Sequence, residues 1–129
     1  MLTDIKKVRS IGGAKNVGVH HWWAQRLTAI ALIFLFIWFA STIAGLINNQ
    51  KPLISLLIAK EKVIIFTILL ITMIYHSTLG VQVIIEDYIH NEKVKFSLLI
   101  FIKLFAILTS IFLISAIISL IFLQGTANV

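Results

Sequence analysis

The sequence predicts an all-α membrane protein with three transmembrane helices, and three observations carry that prediction. Hydrophobic residues make up 60% of the 129 and charged residues only 12%, for a mean hydropathy of +1.04. A soluble domain of this length could not hide so much apolar surface. The apolar residues gather into three runs, about 24–47, 63–86 and 96–123, each long enough for a hydrocarbon core about 30 Å thick. The charges fall almost entirely at the ends of those runs. The chain, 1–129, therefore reads as a single membrane domain with no soluble core to find.

Composition also excludes several function classes. Without cysteine there are no disulfides, thiolate metal sites or cysteine nucleophiles. The net charge of +6 comes from basic residues at helix ends, not from aromatic-interleaved basic patches, so no nucleic-acid partner is expected. Residues 1–20 are polar and basic, with Lys6, Lys7, Arg9 and Lys15 beside Gly12, Gly13 and Gly18. They read as an interfacial or partner-bound cytoplasmic arm, or over 1–12 as a solvated tail. A cleavable signal peptide is not expected, because no small-residue cleavage site follows a short apolar run.

His20, His21, Trp22, Trp23, Gln25 and Arg26 lead into the first span, with the tryptophans at headgroup level. Asn48, Asn49 and Pro52 break that helix. Leu53–Ala59 is too short to cross and should lie in the interface before Lys60, Glu61 and Lys62. The second span carries His76 near its midpoint and is followed by a charged loop, Glu86 to Lys95. The third is interrupted only by Lys103, close enough to one end to snorkel. Three spans put the termini on opposite sides. Lys6, Lys7, Arg9, Lys15, Arg26, Lys93, Lys95 and Lys103 outnumber Lys51, Lys60 and Lys62, which places the N-terminus inside. Arg26, Asp87 and Tyr88 then share the inner surface.

The chemistry-bearing residues centre on 71–91. Ionisable residues inside a membrane are rare and mark functional sites by default. At about 100° per residue, His76 and Asp87 share a helix face, about 16 Å apart along the axis. Gly80 lies on that face as a notch. His76 can be a haem-iron ligand or a histidine bonded to a neighbouring helix. As a low-spin haem ligand it needs a second axial histidine that this chain cannot supply, since His20, His21 and His90 sit at the surface. A partner chain, or a second copy, would provide it. Arg26 can anchor the helix at the positive side or pair with a haem propionate, and His20 can donate to the other propionate. Asp87 and Tyr88 can be an ordinary helix terminus, or a phenol donating to a quinone carbonyl beside a carboxylate that moves protons. Thr72, Ser77 and Thr78 are expected to bond back to helix carbonyls or to neighbouring helices. No Ser-His-Asp order, phosphate loop or metal-ligand cluster is visible, so any chemistry uses a borrowed cofactor.

Two segments together resemble a known family. GVHHWWAQRLTAIA at 18–31 and HSTLGVQVIIEDY at 76–88 resemble the small hydrophobic membrane-anchor subunit, or cytochrome b small subunit, of succinate dehydrogenase (complex II). The shared pattern is a histidine, a glycine four later, and Asp-Tyr eleven and twelve later. The resemblance covers most of the chain and implies the following. His76 is the axial ligand of a haem b shared with a second membrane-anchor cytochrome b subunit. His20 and Arg26 lie near the propionates, with His21 an alternative to His20. Tyr88 bonds ubiquinone with Asp87 beside it, and Glu86 is an acid the family pattern does not require. A flavoprotein oxidises succinate and an iron-sulfur protein passes electrons to this site, linking the tricarboxylic acid cycle to electron transport at the bacterial inner membrane or its mitochondrial-type equivalent. Helices are expected to meet the partner through Gly80 and nearby hydroxyl residues. The competing expectations are a purely structural or assembly membrane protein, a His76–Asp87 proton relay, and a fumarate reductase anchor.

Overall fold

The computed structural model describes the backbone of residues 2–127 and the side chains of 18–123, 125 and 126. It contains α1 (Leu2–Asn48), α2 (Ser55–Ile58), α3 (Lys60–Tyr88) and α4 (Glu92–Ala127). Within these, Gly18–Asn48, Lys60–Tyr88 and Glu92–Leu123 are long and apolar enough to cross a membrane. The three expected spans lie inside those three helices.

Differences are confined to helix ends. The N-terminal arm is not separate from the first span: its backbone from Leu2 is continuous with α1. No proline occurs before Pro52, so nothing in the arm forbids the helix. The side chains of Lys6, Lys7, Arg9 and Lys15 lie outside the described residues. The charged loop is also shorter than Glu86 to Lys95, because α3 runs to Tyr88 and α4 starts at Glu92. Asn91 makes this possible. Its side-chain Oδ1 accepts from the backbone N–H of Lys93 at 3.1 Å, capping α4, and Glu92 puts an acid in the first turn where the helix dipole favours it.

α1 stops in a left-handed cap. The N–H of Lys51 bonds the Leu46 carbonyl at 2.9 Å and that of Gln50 bonds the Ile47 carbonyl at 3.1 Å, the paired pattern of a Schellman motif. Gln50 takes the position usually given to glycine, at φ 52°. Pro52 then prevents resumption of α1. The apolar segment after it forms the four-residue α2, whose Leu56 is buried and which folds back against α3 and α4. Phe39 of α1 stacks on Phe66 of α3 at that end, 5.8 Å between centroids.

α3 lies in the middle, with α1 and α4 packed on it rather than on each other. Such an arc has little interior. Leu32, Leu69, Leu79, Ile85 and Ile117 are among the few buried apolar side chains, while Phe34, Phe112 and Phe122 are each about 70% exposed. Lipid tails are as apolar as these side chains, so exposure costs little here, and helix association rests on close packing and interhelical hydrogen bonds. Those bonds lie between α1 and α3.

Candidate functional site

α1 and α3 run antiparallel, and three close approaches fall in register along them, two of them polar. At the deep end the Thr28 hydroxyl oxygen lies 2.8 Å from Nδ1 of His76. One turn nearer the surface, the amide nitrogen of Gln25 would sit 3.6 Å from a Cβ built on Gly80. At the surface end, Gln82 Nε2 donates to Glu86 Oε1 at 2.8 Å and lies 3.2 Å from His21 Nε2. On α1 the three contributors, His21, Gln25 and Thr28, are spaced i, i+4 and i+7, which is one helical face.

The Thr28 hydroxyl has one proton and two uses for it. It is 2.7 Å from the Ala24 carbonyl, the bond back into its own helix that membrane threonines commonly make. When the proton goes there, the oxygen accepts from His76 Nδ1–H, and Nε2 is left with a lone pair. In the other arrangement the hydroxyl donates to Nδ1 and Nε2 carries the proton. The first is the arrangement of metal-bound histidines, which donate their second ring N–H to an oxygen that fixes ring and tautomer. His76 is half-buried. Among the described residues no three His, Cys, Asp or Glu side chains group as a metal site, so His76 is a lone candidate ligand.

Gln82 is the buried polar residue of the described set, 8% exposed. Its amide nitrogen has two hydrogens, one for Glu86 and one for His21 Nε2. His21 is thereby turned into the bundle, while His20 is exposed. Arg26 is also exposed, with its guanidinium carbon 5.2 Å from the Trp22 ring centroid. That approach is a cation–π contact, and a guanidinium carries five N–H donors in a fork that suits a carboxylate. Asp87 and Tyr88 occupy the end of α3, both exposed, Tyr88 by 77%. The structure thus brings together His76 with Thr28 and His21 with Gln82 and Glu86. It leaves His20, Arg26, Asp87 and Tyr88 outward-facing.

The close approach at Gly80 is made within the chain, by Gln25 of α1. Lys103 lines a groove of about 550 Å³ between α3 and α4, whose lining also includes His21, Tyr75 and Gln82. Thr78 bonds back to the Ile74 carbonyl at 2.7 Å, as expected.

The described geometry is joined by a match over residues 3–122 to the succinate dehydrogenase/fumarate reductase transmembrane subunit family. The chain belongs to this family. Its relatives include the succinate dehydrogenase hydrophobic membrane anchor subunits of Rickettsia bellii and Rickettsia typhi. They are 40% and 36% identical over 115 residues, 88% of this chain and 91% of each relative. The succinate dehydrogenase membrane anchor subunit of Reclinomonas americana is 33% identical over 95 residues, 70% of this chain and 78% of that one. No solved structure matches the chain. With three spanning helices and these relatives, this family member is a multi-pass protein of the bacterial inner membrane.

Sequence reasoning missed Thr28, Gln25 and Gln82 as contributors to the site. The spacing of polar residues at 21, 25 and 28 within an apolar run was the available signal.

Proposed function

We propose that this chain is the small hydrophobic membrane-anchor subunit of a succinate:ubiquinone oxidoreductase. The observation that carries the reading is the 2.8 Å contact between Thr28 and His76 Nδ1. It orients the imidazole and supports Nε2 as the atom that would ligate the iron of a haem b, for which a partner cytochrome b subunit would supply the second histidine. When bound, the haem supplies a one-electron site between the iron-sulfur subunit and the quinone.

The chain's own residues do the rest. Arg26 and His20, or His21 in its place, hold the propionates at the wet end of the helices. Tyr88 donates its phenolic hydroxyl to a ubiquinone carbonyl, and Asp87 beside it accepts and releases protons to water. The basic excess at the Arg26 end supports an inside N-terminus and docking of the flavoprotein and iron-sulfur subunits on that face. The chain is then a non-flavin part of an enzyme rather than an enzyme itself. A fumarate reductase anchor would present the same residues, since direction of catalysis is set largely by the soluble subunits and the quinone.

A second reading rests on the same contact. The Thr28 bond is also what a histidine with a purely structural or assembly role would make. The deciding experiment is a reduced-minus-oxidised optical spectrum of the complex purified through this chain, wild type and His76→Ala. The expected result is a b-type haem signal lost or shifted in the variant, with flavin and iron-sulfur subunits copurifying. A haem-free preparation without soluble partners overturns the proposal in favour of the structural role. Haem indifferent to His76 means another ligand.

A further inference from the structure

The groove between α3 and α4 has a polar end and an apolar end. Its α3 wall runs from Gln82 to Ile71 and its α4 wall from Lys103 to Ile114. The helices are joined by the short connection 89–91, so Gln82 and Lys103 stand at the end nearer that connection. His21 of α1 joins them there. Beyond that end the lining is mostly aliphatic, with Ile74, Ile107 and Ile111. The hydroxyls of Thr78 and Ser110 donate to carbonyls of their own helices, those of Ile74 and Ala106.

The polar end is built to meet negative charge. Gln82, 8% exposed, has its Nε2 2.8 Å from Glu86 Oε1. A carboxylate only accepts, so the amide turns its NH₂ that way, and the second hydrogen goes to His21 Nε2 at 3.2 Å. That ring nitrogen then accepts, and Nδ1 of His21 carries the proton and is a donor. Lys103 adds an ammonium with three donors. Glu86 is outside the lining, where Lys103 is the charged residue among those described. Depth agrees with charge. From Lys103 to Leu123, and from Gln82 back to Lys62, the helices run about 30 Å, the thickness of a hydrocarbon core. The polar end thus falls at the headgroup boundary, and Ile71 and Ile114, about 16 Å further in, fall near the bilayer centre.

We propose that this groove holds an acyl chain of a net-anionic phospholipid whose phosphate sits at Lys103 and His21. A cation and a neutral donor at the boundary, with aliphatic walls reaching the bilayer centre, repeat the polarity and length of one leaflet's lipid. An acyl chain gains little by exchanging lipid for an apolar wall, so selection among lipids falls to the headgroup. One lysine beside an anionic headgroup favours it by about fivefold. The inference stands on the groove's lining and does not require that His76 bind haem.

The test places the complex purified through this chain in phosphatidylcholine vesicles with a trace of phosphatidylglycerol bearing a diazirine on its acyl chain. A phosphatidylcholine probe with the same chain is run beside it. After illumination, crosslinks are read by mass on the peptides of this chain. Crosslinking is expected to concentrate on 71–82 and 103–114, about fivefold higher with the phosphatidylglycerol probe. Lys103→Gln should remove that preference, while Lys93→Gln, at the same end of α4 but outside the groove lining, should leave it unchanged. Should Lys103→Gln fail to assemble, Ser110→Phe fills the groove midway, and crosslinking there should fall with both probes. Equal crosslinking by the two probes in the wild type means bulk lipid. No crosslinking in the groove of an assembled complex means that a partner helix or a quinone covers it. Either result overturns the proposal. Subunit content and the haem spectrum of the same samples report separately on the anchor-subunit reading.

Discussion

Replacing Thr28 with valine tests whether one hydroxyl holds His76 in its working orientation. Valine keeps the branched shape and removes only the oxygen that lies 2.8 Å from Nδ1 and 2.7 Å from the Ala24 carbonyl. The second loss is small, because a helix carbonyl one turn back already has a backbone partner. The first is an interhelical bond inside the membrane, worth about 0.6 kcal/mol on average and about 1.7 at most. Thermal stability of the complex should therefore change little. On the proposed haem ligation by His76, affinity should change more, since losing the group that orients a metal-bound histidine costs about 10–100-fold in affinity, or about 1.4–2.8 kcal/mol. The assay is the rate at which the purified complex loses haem to an excess of a haem-scavenging apoprotein. Thr28→Val should accelerate loss by about 10–100-fold, and Thr28→Ser, which keeps the oxygen, should stay near wild type. Wild-type haem retention in Thr28→Val would refute the reasoning that Thr28 sets the ring.

Three further outcomes follow from helix ends and from the α1–α3 contact. Gln50→Gly should stabilise the chain by about 1 kcal/mol, because glycine relieves the left-handed strain at φ 52°; unfolding in mild detergent followed by circular dichroism measures it. Asn91→Ala should destabilise by about 1 kcal/mol by removing the α4 cap, whereas Asn91→Asp should not. Gly80→Ala should assemble normally, since the new Cβ meets Gln25 at 3.6 Å, an ordinary contact. Gly80→Leu should push α1 away and weaken the Thr28–His76 pair, which subunit copurification and the haem-loss rate would report.

What the sequence makes legible is governed by the solvent each segment meets. The spans are readable because a hydrocarbon core demands about twenty apolar residues in a row, and 24–47, 63–86 and 96–123 have nothing else to be. Helix ends are less readable, because charge alone does not end a helix. Glu86, Asp87 and Tyr88 finish α3 and Glu92 to Lys95 begin α4, since polar side chains at the membrane surface are solvated whether or not their backbone is helical. His76 stands out because an imidazole is costly in lipid. Its partner does not, because a membrane threonine normally bonds its own helix, and only the fold shows Thr28 doing this while meeting His76. Gln25 and Gln82 are hidden for a similar reason: a neutral amide gives no charge signal, and its role depends on which helix faces it. The face a partner subunit would cover is not distinguishable by apolarity, since lipid-facing and partner-facing side chains in this chain are the same Ile, Leu and Phe.

The order of groups along α3 fixes how far His76 stands from the pair Asp87 and Tyr88. His76 and Asp87 ride on one uninterrupted helix, so their separation is fixed by helix rise at about 16 Å and does not depend on a loop. They also share a face within about 20°, because eleven residues make almost whole turns. Neither property survives insertion of a residue between them, although every side chain could be retained. The polar seam adds a second constraint on the same stretch, for Gly80 must face Gln25 and Gln82 must reach both His21 and Glu86. Gln82 and Glu86 form an i, i+4 pair, as do His76 and Gly80, each spanning about one turn. The segment 76–88 therefore carries two overlapping helical patterns, one turned to α1 and one ending at the membrane surface. That double use accounts for its being the most information-dense part of the sequence, and for Gly80 being a residue that a helix built for stability alone would replace with alanine.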